Sequence, residues 1–77
     1  MSTLLELAPG QEARVSGFLD PTLEMRLLEL GCLPGTLVQI DREVPFNGPL
    51  ILTINQDYQL ALRKQEAKFV LVSPSFN

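Results

Sequence analysis

The sequence predicts a small, mainly β barrel of five or six short strands, with one inserted α-helix at about residues 21–30 and a short helical turn at about 64–68. Three observations carry this expectation. Short segments alternate apolar and polar residues or bunch branched apolar ones, as half-buried and buried strands do. Of the 5 glycines and 6 prolines, all but Gly17 fall where one such pattern gives way to another. One stretch alone has helical periodicity. Closing so small a sheet removes the unpaired edges it would otherwise expose, so a barrel is favoured over an open sheet.

The elements follow in order. An apolar opening, Thr3 to Leu7, is closed by Pro9-Gly10. From Glu12 to Phe18, Ala13 and Val15 alternate with Glu12, Arg14 and Ser16, a period of two. Asp20-Pro21 then opens the helix, because Asp20 can accept from the orphan amides of the first turn and proline loses nothing at the first helical position. Leu23, Leu27 and Leu30 recur on one helical face, with Met25 and Leu28 widening it. Gly31 can adopt the left-handed conformation that ends a helix, and Pro34 prevents its resumption.

Thr36 to Val44 reads as a strand with Val38 and Ile40 inward and Gln39 and Asp41 outward. Val44 to Pro49 is a loop, since two prolines cannot both sit in a paired strand. Leu50 to Ile54 is a strand, Asn55-Gln56-Asp57 a turn, and Tyr58 to Arg63 a further alternating strand. After the turn at Lys64 to Lys68 comes a last short strand, Phe69 to Val72, and residues 73–77 read as a frayed tail.

Length and composition narrow the function. A chain of 77 residues has room for one core, so residues 1–77 read as a single domain. The 6 basic residues are outnumbered by 9 acidic ones and are dispersed, which disfavours nucleic acid. The start of the chain lacks the pattern of a signal peptide and no run is long enough to span a membrane, so a soluble cytoplasmic protein is expected. The single cysteine, Cys32, excludes an internal disulfide and fits a reducing compartment.

Catalytic chemistry is sparse. With 0 histidines, the commonest neutral-pH base and the commonest transition-metal ligand are both missing. One thiol cannot build a tetrahedral zinc site, and no glycine-rich phosphate loop occurs. The carboxylates Glu24 and Glu29, or Asp41 and Glu43, read as solvated surface. No enzyme, no cofactor and no bound metal are expected. Cys32 reads as a small packed hydrophobe, the alternative being a ferrous or redox ligand shared between chains.

The run Met25 to Thr36 is a leucine-rich helix ending in Leu30-Gly31, two further residues, then Pro34-Gly35-Thr36. It resembles the signature of the FeoA family. Pro45 to Leu50 resembles that family's Ala-Pro-Leu-Gly-Asp-Pro segment, and Leu60-Ala61-Leu62-Arg63 its Leu-Ala-Leu-Arg stretch. The structural signature is then Leu27, Leu30, Gly31, Pro34, Gly35, Ala61 and Leu62, with Leu27 and Leu30 as core. Cys32, in place of a large aliphatic residue, and Phe46, in place of a frequent leucine, depart from the pattern.

The resemblance implies an SH3-like barrel and a non-enzymatic role in ferrous iron uptake. The implied partner is FeoB, the membrane transporter with a cytoplasmic G-protein domain. Cys32, Leu33, Phe46, Asn47 and Arg63 are the candidate contact residues, with Phe46 expected to fold back onto the barrel. Arg63 is the sole candidate for stimulating GTP hydrolysis. Two other readings compete. One is a regulatory or metal-responsive domain of the iron-dependent repressor class, which shares the fold but whose peptide groove here would have only Tyr58 to line it. The other is a homo-oligomeric scaffold that self-associates through strand edges or the Phe46 loop.

Overall fold

A computed structural model describes residues 2–74. Six antiparallel strands form one sheet in the order β1-β6-β2-β3-β4-β5: β1 Ser2–Thr3, β2 Glu12–Phe18, β3 Leu37–Glu43, β4 Leu50–Ile54, β5 Tyr58–Leu62 and β6 Val70–Pro74. A 3-10 turn, Leu4–Glu6, follows β1. Helix α1, Pro21–Glu29, joins β2 to β3, and the one-turn helix α2, Lys64–Ala67, joins β5 to β6. The mainly β architecture with one inserted helix is that expected from the residue pattern.

Alternation decides what is inside. Ala13 and Val15 from β2, Val38 and Ile40 from β3, and Leu50, Leu52 and Ile54 from β4 are buried. They meet Leu4, Leu23, Leu27, Leu62, Ala67, Val70 and Val72 in one cluster. Two bulges bend the sheet around it, one between Val15 and Gly17 against β6 and one between Ile40 and Arg42 against β4. The hydrogen-bonded ladder does not close. β6 pairs with β1 and β2, β1 is only two residues long, and β5 pairs with β4 alone. The expected sealing of every strand edge is therefore corrected, and β5 keeps an open edge.

The chain end differs from expectation too. Ser73 and Pro74, expected to fray, continue β6 opposite Arg14 and Ala13. Residues 75–77 of the expected tail lie outside the described residues.

Helix α1 begins as its sequence requires. The Asp20 carboxylate accepts from the Thr22 N–H at 3.1 Å, with Pro21 in the first turn. Its end is more instructive. Leu30 leaves helical geometry with φ −89° and ψ 4°, and Gly31 takes φ +87°. The Gly31 N–H then bonds Leu28 O at 3.0 Å and the Cys32 N–H bonds Leu27 O at 2.8 Å, the paired bonds of a Schellman turn.

That turn swings Cys32 inward, where it is 2% exposed, beside the equally buried Leu27. Leu30 is thrown outward and is 45% exposed. The expectation that Leu30 belongs to the core is thus wrong. Its position lies past the last regular turn, so the periodicity that buries Leu23 and Leu27 no longer applies to it. Met25 and Leu28 do not widen the buried stripe either, since both are exposed.

The next four residues close a second turn. Thr36 N–H reaches Leu33 O at 3.0 Å, Pro34 holds the second position and Gly35 the third at φ +91°, as a type II turn demands. The buried Thr36 hydroxyl oxygen accepts the Leu33 N–H at 2.9 Å. This turn is docked on β2 by Gly35 N–H to Val15 O at 2.7 Å and Val15 N–H to Thr36 O at 2.9 Å.

Leu27 and Leu30, three residues apart, should therefore respond very differently to truncation. Leu27→Ala is expected to cost ~2–5 kcal/mol in urea unfolding, from lost burial and the cavity left behind. Leu30→Ala is expected to cost about 0.5 kcal/mol or less. Equal losses at the two positions would contradict the helix end described here.

Candidate partner-binding surface

Among the described residues no group of three His, Cys, Asp or Glu side chains lies close enough to hold a metal ion. Several carboxylates are engaged in holding the fold. Asp41, at the β3 bulge, accepts from the Thr53 hydroxyl at 2.5 Å and from Gln59 Nε2 at 2.9 Å, tying β3, β4 and β5 together on one face. Glu43 pairs with Lys64 at 2.8 Å. Glu66 pairs with Arg26 at 2.8 Å and also accepts the Arg63 N–H at 3.1 Å, which locks α2 to α1. Asp41 and Glu43 therefore do not form a working pair, because each is held by a partner of its own.

Burial pushes the Cys32 thiol above its ordinary value, away from the thiolate that would bind metal or react. Its side chain is core, so it drops out of the candidate contact residues. The other four are exposed, but they do not form one patch. Leu33, 48% exposed, precedes β3, whereas Phe46 and Asn47 follow it. The seven residues of β3 separate them by about 20 Å. Arg63 is exposed at the far end of β5 and has no ion pair among the described residues.

Phe46 does not fold back. It is 100% exposed on the tip of the β3–β4 hairpin. Phe46 and Asn47 both have positive φ, 60° and 61°, in a tight turn closed by Gly48 N–H to Pro45 O at 3.3 Å. A side chain built on Gly48 would strike Val44 at 2.5 Å, so this tight turn requires glycine there. Asparagine tolerates this conformation, whereas phenylalanine is uncommon in it.

A broader apolar surface escaped the sequence pattern. Met25 is 63% exposed, and Leu28, Leu30 and Leu33 are exposed as well, so large apolar side chains stand in solvent among Thr22, Arg26 and Glu29 on α1 and its following turn. A shallow recess of about 450 Å³ lies on the same helix, lined by Pro21, Thr22, Met25, Arg26 and Glu29. A signal was available, since Met25 lies about 200° round the helix from Leu23, on the side opposite the buried stripe. Tyr58 was also missed as a clasp: its hydroxyl donates to Leu30 O, and it fills the space a side chain at Gly31 would need.

Of the signature positions, Leu27 and Leu62 are core, Gly31 ends the helix, Pro34 and Gly35 make the turn, and Ala61 is exposed on β5. The fold and this surface define an SH3-like β module in which Asp20, Asp41, Glu43 and Glu66 brace its own architecture and Cys32 is buried. The sequence model of the FeoA domain matches residues 2–74, and the chain belongs to that family.

Solved structures agree. The FeoA protein from Chlorobium tepidum is similar at 28% identity and a TM-score of 0.86, over 95% of this chain and 70% of that one. The zinc complex of FeoA from Stenotrophomonas maltophilia, described as a prokaryotic SH3 domain protein and a candidate ferrous iron transport activating factor, is similar at 32% identity. Its TM-score is 0.80, over 95% of this chain and 91% of that one. A manganese-dependent transcriptional repressor in complex with manganese superposes with a TM-score of 0.86 at 16% identity, over 96% of this chain and 36% of that one, a likeness of fold alone. No curated protein sequence matches the chain. Among the described residues no helix is long and apolar enough to cross a membrane.

The lock between the helices has a pH dependence of known sign. The hydrogen bond from Arg26, with the Arg63 N–H and the nearby positive charges, holds the Glu66 carboxyl below its ordinary value against the opposing effect of burial. Its stabilisation is complete above the unfolded value, about 4.3, and drains away as pH falls through the lower folded value. Glu66→Gln should therefore lower the thermal midpoint at neutral pH, with the gap to wild type closing as pH falls through the lowered folded value. The gap will be small, since the Arg26 side chain is 51% exposed. A gap that persisted unchanged in acid would contradict the ion pair.

Proposed function

We propose that this chain is a non-enzymatic, cytoplasmic accessory of ferrous iron uptake, one domain over residues 1–77. It acts by protein–protein contact with the cytoplasmic G-protein domain of a FeoB-type transporter. Family membership supports the link to ferrous iron transport. The observation that carries the mode of action is the run of exposed large apolar side chains, Met25, Leu28, Leu30 and Leu33, on α1 and the turn after it. Several large apolar side chains exposed on one short stretch supply the kind of surface that a protein partner covers. The main contact is assigned to this face, with Leu33 at its end.

Phe46 and Asn47 are assigned a second, smaller contact. A fully exposed aromatic ring on a hairpin tip with left-handed backbone is costly to keep unless something uses it. No cofactor is needed for either contact.

Titration of the reduced, nucleotide-loaded cytoplasmic domain of FeoB tests this reading. The wild-type chain should bind, Leu33→Asp should weaken binding by about tenfold or more, and Phe46→Ala by a smaller factor. Absence of a complex with wild type, or affinity indifferent to both substitutions, would overturn it.

A further inference from the structure

Strand β5 has features that its place in the barrel does not explain. It is the sheet's edge, paired with β4 in unbroken register from Leu50↔Leu62 to Ile54↔Tyr58. Alternate residues of an edge strand turn their N–H and C=O groups outward. Among the described residues, no backbone hydrogen bond reaches Tyr58 to Leu62 apart from the β4 ladder. The strand carries none of the protections a sequence can build into an edge, for Tyr58-Gln59-Leu60-Ala61-Leu62 contains no charge, no proline and no bulge.

The edge is also accessible. A groove of about 310 Å³ touches Leu30 at the Tyr58 end, Leu60 and Ala61 in the middle, and Pro49 and Arg63 at the Leu62 end, with the paired Arg26 of α1 and Glu66 of α2 completing its lining. Successive residues of a strand point to opposite faces, so a groove touching both Leu60 and Ala61 abuts the backbone edge itself.

Charge at the two ends of β5 selects the occupant. Asp57 immediately precedes the strand and Arg63 immediately follows it, and both are exposed. Neither is in an ion pair among the described residues. If a second copy lies antiparallel with Leu60 opposite Leu60, then Tyr58 faces Leu62 and Gln59 faces Ala61. Asp57 of each copy then faces Arg63 of the other, twice over by the twofold axis. Sliding the register by two residues loses both ion pairs, and a parallel arrangement sets Arg63 against Arg63 and Asp57 against Asp57. Charge complementarity thus chooses one orientation and one register.

We propose that β5 is a self-association edge: two copies pair antiparallel through Tyr58–Leu62 about Leu60, in a register set by reciprocal Asp57–Arg63 ion pairs. Five residues of strand and two exposed ion pairs make a small interface, so the dimer is weak and forms at high local concentration. The groove beside β5 shares Leu30 with the apolar side chains of α1 assigned to the transporter above, so the two contacts adjoin there.

Charge exchange tests it on the intact chain. Sedimentation equilibrium of wild type should show a concentration-dependent dimer, with amide shifts at Tyr58 to Leu62 as it forms. Asp57→Arg and Arg63→Asp, both at exposed positions outside the strand, should each weaken the dimer by about tenfold, and the two together should restore most of the loss. Unchanged thermal melts will show that the variants fold. A chain that stays monomeric at millimolar concentration would overturn the proposal. So would a dimer indifferent to the single reversals, a double exchange no better than either single, or β5 amides that move only with an added extended peptide from another protein.

Discussion

The end of helix α1 is the constraint from which the surface of this protein follows. Gly31 at φ +87° lets the chain reverse, and the two bonds back to Leu28 and Leu27 fix how far. Tyr58 reaches across from β5 to hold Leu30 O from outside. One glycine therefore decides that Cys32 faces the core while Leu30 and Leu33 face solvent. The type II turn that follows, held by Pro34, Gly35 and the Thr36 hydroxyl, then hands the chain to β3 in the register that buries Val38 and Ile40. What looks like a family signature in the sequence is a pair of backbone turns placed end to end.

Function then follows from what remains outside. Asp41, Glu43 and Glu66 hold strands and helices together, and the thiol is buried among leucines. The exterior keeps apolar side chains on α1, a phenylalanine on a strained tip, and the open edge of β5. The hairpin tip stands apart, whereas the α1 side chains and the β5 edge meet at Leu30.

Much of the fold was legible because period two and period 3.6 are hard to confuse over these lengths. Glu12–Phe18 and Leu50–Ile54 are read residue for residue, and Asp20-Pro21 marks the start of the helix. Leu30 was misread because periodicity says nothing about a residue already past the helix end. Phe46 was misread because burial of an apolar ring is the average outcome, whereas two left-handed residues place this one at the tip of a tight turn, in water. The open seam depends on β6 choosing β1 and β2 over β5, a long-range pairing no local pattern reveals. Of the candidate contact residues, Leu33, Phe46, Asn47 and Arg63 were recognisable as loop and strand-end positions. Their separation onto two ends of the barrel was not, because it depends on the length and course of β3.

A double-mutant cycle between Gly31 and Tyr58, followed by urea unfolding, tests the role of the helix end most directly. A methyl group at Gly31 meets the Tyr58 hydroxyl at 2.7 Å on top of the left-handed backbone. Gly31→Ala should thus cost about 1–2 kcal/mol from the backbone alone, and more while the hydroxyl is present. In a Tyr58→Phe background the same substitution should cost at least about 0.5 kcal/mol less. Strictly additive losses, or a Gly31→Ala variant as stable as wild type, would contradict the clasped turn.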